Sequence, residues 1–374
     1  MTSNARELAQ IPSTPSGRRN LIINGAKQVF QRSTSATGVT TDIYAAPDRW
    51  KTRVFSTAEF TISQSTDVPS GQGFASSCKW DCTTANASPS STTFLIYEQR
   101  IEGQDLQRLA YGTSSAKSLT ASFWVKSNKT GAYTVGLYSP DGSRHIESSY
   151  TISSANTWEK KTITFAGDTG GTINDDNGEG MRIWFHLGAG SNWSSGTHAT
   201  TWSAYSQGDV LVDNQVNLSD STSNEWYITG IQLEVGSVAT EFEHQKYCDV
   251  YKDCQRYYYK SGDNATSSEE WFPGVATNAG KGPYYAIGLD GINDRAYPAL
   301  QWPVQMRAAP SITFYPGRSD STATADRIVR YNDTALVTFT QSPVPYSNGL
   351  TGYFLGTSAD SPAYAYQVIA EAEL

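Results

Sequence analysis

Apolar and polar residues alternate along this chain over short stretches, and Gly, Asn, Asp, Ser and Pro break the stretches apart. Leu21, Ile22 and Ile23 form an apolar run closed by Asn24-Gly25, a turn signal. Period-two segments then recur at Val54–Ile62, Phe94–Arg100, Leu119–Lys126, Tyr133–Tyr138, Trp158–Phe165, Met181–Leu187 and Trp226–Glu234. Within them Leu119, Ala121, Phe123 and Val125 share one face, Ile183, Phe185 and Leu187 share another, and Trp158 lies opposite Ile163 and Phe165. Strands of this length between turns predict an antiparallel sandwich or barrel. Between them, Gly103–Leu109 reads as one or two polar helical turns.

The period changes at residues 243–260. Tyr247, Val250, Tyr251 and Cys254 fall at i, i+3, i+4 and i+7, which predicts a helix over 244–256. It would bridge two β domains and run into a strand at 257–259. Further short strands are expected at Tyr284–Leu289, Ser311–Tyr315, Ala335–Thr340, Gly352–Gly356 and Tyr364–Glu371. Pro303 and Pro310 keep the segment 302–310 out of central ladder positions. At the other end, residues 2–10 predict a short helix capped by Ser3 or Asn4, followed by a linker at Pro12, Pro15 and Gly17. That stretch reads as a loose terminus or as a peg that docks on a larger assembly. The expected organisation is a peptide at 1–19, a β domain at 20–243, the helix at 244–256 and a second β domain at 257–374. No repeat of fixed period appears.

Composition narrows this reading. Charged residues are only 17% of the 374 and hydrophobic ones 38%, while 22 Tyr, 13 Phe and 10 Trp are present. Disordered chains lack aromatics, and helix bundles need Ala, Leu, Glu and Lys in quantity. The fold class is therefore all-β, with polar, aromatic-studded surfaces. The net charge of −8 argues against nucleic acid as a main partner. No run of about 18 apolar residues predicts a membrane span. The polar stretch Met1–Ile11 is not a secretory signal, so synthesis in the cytoplasm is expected. Cys78/Cys82 and Cys248/Cys254 read as free or structural thiols; a zinc site would lack a second knuckle.

The candidate chemistry is sparse. There is no Gly-x-Ser-x-Gly elbow and no phosphate loop. A glycosidase needs only two carboxylates, which 36 acidic residues supply by chance. No catalytic residue and no cofactor are assigned. In the acidic loop 168–180, Asp175, Asp176, Asn177 and Glu179 could offer oxygens to Ca2+, although the spacing is not that of an EF-hand. The alternative is a solvated turn. Trp193, Trp202 and Tyr205 sit in polar loops, and Tyr138 and Asp141 flank a turn at a strand end. Such aromatics stack on sugar rings or serve protein recognition. The alternative is that they pack beneath long loops.

Several longer motifs add a family resemblance. Asn20 to Arg32 (NLIINGAKQVFQR), with Asp48, Arg49 and Trp50, resembles the "N-L-I-x-N-G-x…Q-R…D-R-W" opening of tail-fibre and related structural proteins of tailed bacteriophages. Residues 228–243 are similar to the segment that closes the same domain, and 247–258 to the family's "E-x-x-x-C-Q-R-Y-Y" linker helix. Residues 98–107 and 121–126 also fit. Residues 302–310 (WPVQMRAAP) resemble the "F-P-V-x-M-R-A-x-P" motif, with Trp302 in place of the usual Phe.

The resemblance covers about residues 20–310. It implies a jelly-roll domain like the carbohydrate-binding modules of glycoside hydrolases, with no catalytic residues to carry over. It also implies a virion protein, trimeric in fibres. The short N-terminus lacks the long attachment domain of many tail fibres, so the chain would either dock through residues 1–20 on another tail protein or be a fibre elsewhere on the particle. The function expected is non-catalytic, multivalent adsorption to host-surface polysaccharide. The rivals are a purely structural virion component and a depolymerase of capsule or lipopolysaccharide.

Overall fold

The computed structural model describes residues 18–261, 284–288, 295–298, 300–316, 327–330, 336–338, 344–351, 354–355 and 363–374. The helix and linker expected at 2–17 lie outside them. So do Leu289, Ala335, Thr340, Gly352 and Gly356 at the ends of expected strands. The chain divides into two units between Tyr247 and Cys248.

The first unit is a sandwich of two antiparallel sheets. Its strands are β1 (Ser35–Val39), β2 (Ile43–Tyr44), β3 (Lys51–Phe55), β4 (Glu59–Ser65), β5 (Ser77–Thr84), β6 (Phe94–Glu102) and β7 (Leu119–Ser127). They continue as β8 (Gly131–Ser139), β9 (Arg144–Ile152), β10 (Glu159–Phe165), β11 (Glu179–Ala189), β12 (Ser203–Ala204) and β13 (Glu225–Val235). One sheet runs β1-β4-β5-β13-β7-β10 and the other β12-β9-β8-β11-β6-β3-β2. Alternation does the sorting. Leu119, Ala121, Phe123 and Val125 of β7 meet Ile183, Phe185 and Leu187 of β11 in one core, all fully buried. Trp50, Tyr97, Trp80 and Trp226 form its aromatic centre; Trp50 stacks on Tyr97 at 4.8 Å.

Two expectations change here. Residues 54–62 are not one strand. Ser56 Oγ accepts the Ala58 N–H at 3.1 Å, and the resulting turn sends β3 into one sheet and β4 into the other. Val54 and Phe60 thus both point inward, from opposite layers. β5 is a strand that the reading above did not assign. Its Cys78, Trp80 and Cys82 alternate into the core, and burial pushes both thiols up to about 11. None of the four cysteines is in a disulfide.

The opening and closing motifs meet in space. Asn20 Oδ1 accepts the N–H groups of Ile22 and Leu233, and its Nδ2 donates to Ile231 O. Glu243 accepts the N–H groups of Arg19 and Asn20, and the Glu243 N–H donates to Gln232 Oε1. Gly25 lies so close to Ile231 O that a Cβ would collide with it. Asn24 closes the turn: its Oδ1 accepts from Gln28 N and Val29 N, and its Nδ2 donates to Val29 O and Asp48 O. Asp48 in turn takes Gln31 N and Nε2. Each bond satisfies a buried backbone or amide group that would otherwise cost about 1–3 kcal/mol.

In the second unit the helix α1 runs Tyr247–Gln255, shorter at its start than expected. Val250 and Cys254 are buried, but Tyr247 is 56% exposed and does not belong to the packed face. The strands are β14 (Tyr258–Lys260), β15 (Tyr284–Gly288), β16 (Arg295–Pro298), β17 (Ser311–Pro316), β18 (Arg327–Arg330), β19 (Leu336–Thr338), β20 (Val344–Tyr346), β21 (Gly349–Thr351), β22 (Phe354–Leu355) and β23 (Ala363–Glu371). β23 is the axis of an eight-stranded antiparallel sheet. Its two halves pair with β14 and β17, and with β15 and β18.

Residues 302–310 stay outside the strands, as their prolines require. They tie the β20–β21 hairpin down: Trp302 Nε1 donates to Tyr346 O at 2.7 Å and Met306 N to Ser347 O at 2.7 Å. Arg307 donates to the carbonyls of Ala372 and Glu373. Among the described residues no helix is long and apolar enough to cross a membrane.

Asn24 has φ +56°, a left-handed value that glycine also tolerates. Asn24→Gly therefore keeps the backbone and deletes the four side-chain bonds. Thermal unfolding of the chain should show a loss of about 3–5 kcal/mol in this unit. A loss below about 1 kcal/mol would mean that the turn holds without them.

Candidate functional site

The outward positions of the seven-stranded sheet carry an aromatic and ionic strip. Where β11 buries Ile183 and Phe185, it presents Arg182, Trp184 and His186 on the other face. By the same alternation β8 presents Thr134, Gly136 and Tyr138, β6 presents Phe94, Ile96, Glu98 and Arg100, and β3 presents Lys51, Arg53 and Phe55. Register aligns them across the strands: Tyr138 beside Arg182 beside Arg100, and Gly136 beside Trp184 beside Glu98 beside Lys51.

The charges interlock. Glu98 is fully buried and is hydrogen-bonded by Arg100 through Nε at 3.0 Å, with Nη2 at 2.9 Å. Arg53 Nη1 and Arg182 Nη1 approach its other oxygen from neighbouring strands at 3.5 and 3.7 Å. A bulge at Gly180 turns Glu179 to the same face, where it accepts Arg182 Nε at 2.6 Å. Asp42 accepts Arg53 Nε at 2.9 Å. The Arg182 guanidinium lies over the Tyr138 ring at 4.8 Å, and that of Arg53 over Phe94 at 5.1 Å. Such contacts fix the planes of both partners.

Beneath the aromatics is a buried polar pair. Trp184 Nε1 donates to the Glu147 carboxyl at 3.2 Å, and His145 Nδ1 meets the same group at 3.1 Å. Gly136 makes this possible, because a Cβ there would overlap the carboxyl. Burial pushes Glu147 well above the usual carboxylate range, against the bond from Trp184. Burial also lowers His145. Burial thus disfavours the charged form of each partner.

The loop between β11 and β13 covers part of this face. Trp193, Val210 and Leu211 pack with Ile96 and Trp184 into a small core outside the sheet. His186 is enclosed there, at 5.7 Å from Trp193, and burial lowers its pKa to about 3.

The residues expected from sequence divide accordingly. Tyr138 and Tyr205 come together, edge to face at 5.1 Å and half-buried, with Tyr205 6.3 Å from Trp184. Trp193 is only 6% exposed and belongs to the small core, so the loop-packing alternative holds for it. Trp202 lies apart, edge-on to Tyr111, with Nε1 donating to Ala166 O at 2.7 Å. Trp193, Trp202 and Tyr205 thus form no single cluster. Asp141 is exposed and accepts Asn174 N and Nδ2, which pins one loop to another.

Asp175, Asp176 and Asn177 are exposed, and Asp176 Oδ1 caps Gly178 N. Glu179 is turned away to Arg182 and Arg100, because guanidinium groups on the sheet face compete for it. Among the described residues no three His, Cys, Asp or Glu gather as a metal site. The reading above missed Arg53, Glu98, Arg100, Arg182 and Trp184. Their signal was present as the outward half of each alternating strand.

Two outcomes follow. Trp193→Ala should cost about 3–5 kcal/mol in thermal unfolding, as for other buried aromatics; an unchanged melting temperature would place the ring outside a core. Glu147 has a raised folded pKa, so the stability of its neutral form is complete below the unfolded value and lost as pH rises through the folded one. The stability of Glu147→Gln relative to the unsubstituted chain should therefore rise from about pH 5 to pH 8. A difference independent of pH would contradict a raised pKa.

No family model matches the chain, and no curated protein matches it. Among solved structures it is similar to the enzymatically active domain of bacteriophage CBA120 tailspike protein 4, at 13% identity and a TM-score of 0.30. That alignment covers 58% of this chain and 21% of the tailspike chain, so this protein spans about a fifth of its length. It is also similar to the family 11 carbohydrate-binding module of Clostridium thermocellum in complex with a mixed-linked tetrasaccharide, at 13% identity and a TM-score of 0.29, over 56% of this chain and 99% of the module. A third is the TmCBM61 module in complex with beta-1,4-galactotriose, at 11% identity and a TM-score of 0.30, over 58% and 99%.

Proposed function

We propose that this chain binds carbohydrate on the outward face of the seven-stranded sheet, as a non-catalytic adsorption protein of a phage virion. The observation that carries the reading is the strip of Tyr138, Tyr205, Arg182, Glu98 and Arg53. Half-buried rings offer a stacking surface, and charged hydrogen-bonding groups flank them in fixed orientation. Sugars present apolar C–H faces and hydroxyl edges, so this combination suits them.

The virion role follows from the motif resemblance. In that role the chain assembles as a homotrimer on a phage tail, with residues 1–20 docking on a further tail protein. Repetition of weak sites around one axis raises avidity with no new contact in any one site.

A second reading, a structural virion component without ligand, has one observation in its favour. The residues that carry the opening and closing motifs, Asn20, Asn24, Asp48 and Glu243, hold backbone in place and none lies on the strip.

The two readings separate in one experiment. Purified chain should compete with phage particles for host cells and release no reducing ends from host polysaccharide. Tyr138→Ala with Arg182→Gln should weaken that competition at least about tenfold, the scale of one charge-assisted hydrogen bond plus one stacking contact. The melting temperature should stay within a few degrees. Undiminished competition by this variant would remove the strip as the site, and no competition by the unsubstituted chain would favour the structural reading.

A further inference from the structure

The cations of the strip are not equally committed. Arg100 is fully engaged, with two nitrogens on Glu98 Oε1 at hydrogen-bond distance. Arg53 and Arg182 differ. Each is anchored through Nε, on Asp42 at 2.9 Å and on Glu179 at 2.6 Å. Their Nη1 atoms reach Glu98 Oε2 only at 3.5 and 3.7 Å, which is ion-pair contact without a hydrogen bond. That oxygen has no hydrogen-bond donor, although it is buried.

Two forks thus converge on one point from β3 and β11, held by their necks, with terminal N–H groups unspent. Lys51 stands beside them at 3.6 Å from Asp42. The four cations Lys51, Arg53, Arg100 and Arg182 face three carboxylates, Asp42, Glu98 and Glu179.

A planar guanidinium with free terminal nitrogens matches a planar carboxylate in a bidentate pair. The Tyr138 ring beneath Arg182 and the Phe94 ring beneath Arg53 supply stacking surface next to each fork. We infer that the saccharide recognised on this face is acidic, with a ring carboxylate taken between Arg53 and Arg182 and the sugar ring laid on Tyr138. This inference rests on the saccharide-binding reading and gives it a ligand class. Neutral glycans would offer the free terminal N–H groups hydroxyl acceptors only, which bond more weakly than a carboxylate.

The test is retention of the full chain on immobilised polysaccharides, followed by titration calorimetry. The probes are polygalacturonate, alginate, hyaluronate and polysialic acid, the carboxyl-reduced form of each uronate polymer, and dextran and galactomannan as neutral chains. Expected are binding to at least one acidic polymer, loss of about ten- to a hundredfold on its carboxyl reduction, and a similar loss in Arg53→Gln and in Arg182→Gln. Arg182→Lys keeps the charge but not the fork and should also lose most of the affinity. Lys79→Gln, on the opposite sheet, should bind as the unsubstituted chain does. Circular dichroism confirms that each variant folds. Equal binding to native and carboxyl-reduced polymer, or binding to neutral chains alone, would overturn the acidic ligand and leave saccharide binding intact. Retention on none of the probes would overturn both.

Discussion

The first unit depends on a clasp between its two ends. Residues 19–25 lie against β13 and the segment that follows it, more than 200 positions later in the chain. Apolar packing of Ile22, Ile231 and Leu233 is joined there by polar bonds: Asn20 serves three main-chain groups on both segments, and Glu243 receives two N–H groups of the opening segment. Buried amides and carboxylates of this kind are costly when unpaired and specific when paired. The apolar core also fixes register, because a slip of one residue would turn its side chains to the other face. The clasp adds to this, since a shift of one residue would orphan several donors together.

That constraint reaches the candidate site through β6. Gln99, on the inward side of that strand, exchanges two hydrogen bonds of 2.8 Å with the main chain of Ile23. Arg49, from the same opening motif, donates to Arg100 O at 2.7 Å. The flanking side chains of Glu98 and Arg100 point the other way, onto the outward face. The ionic strip is thus built on a strand whose back is fastened by the clasp. Beneath the strip, Glu147 and Gly136 set the plane of Trp184 in a similar way: an acid with no exposure holds the indole, and the missing Cβ gives it room. Three of its rings have a polar or cationic partner: Trp184 on Glu147, Tyr138 under Arg182 and Phe94 under Arg53.

Much of the fold was legible because a two-residue period is a local property. β7, β11 and β13 fall where alternation puts them, and the helix at Tyr247–Gln255 follows from its own spacing. What alternation cannot show is which layer a strand joins. Residues 54–62 look continuous in the sequence, yet a serine-closed turn divides them between sheets. The site was legible in part for the same reason. Tyr138 and Tyr205 stood out as aromatics in polar settings. Arg53, Glu98 and Arg182 did not, because each lies in a different strand and only cross-strand register brings them together. Trp193 shows the converse: polar neighbours in sequence suggested exposure, but the loop folds its own apolar core from Val210 and Leu211, which lie nearly twenty residues away.

The central claim is that carbohydrate is held on the outward face of the seven-stranded sheet. The most direct measurement is hydroxyl-radical footprinting of the full chain with and without host-surface polysaccharide, read by mass spectrometry at single aromatic residues. The account predicts protection of Tyr138, Tyr205 and Phe94, with no change at Trp158 and Tyr227 on the opposite sheet. Protection confined to Trp158 and Tyr227, or none anywhere at saturating polysaccharide, would contradict it.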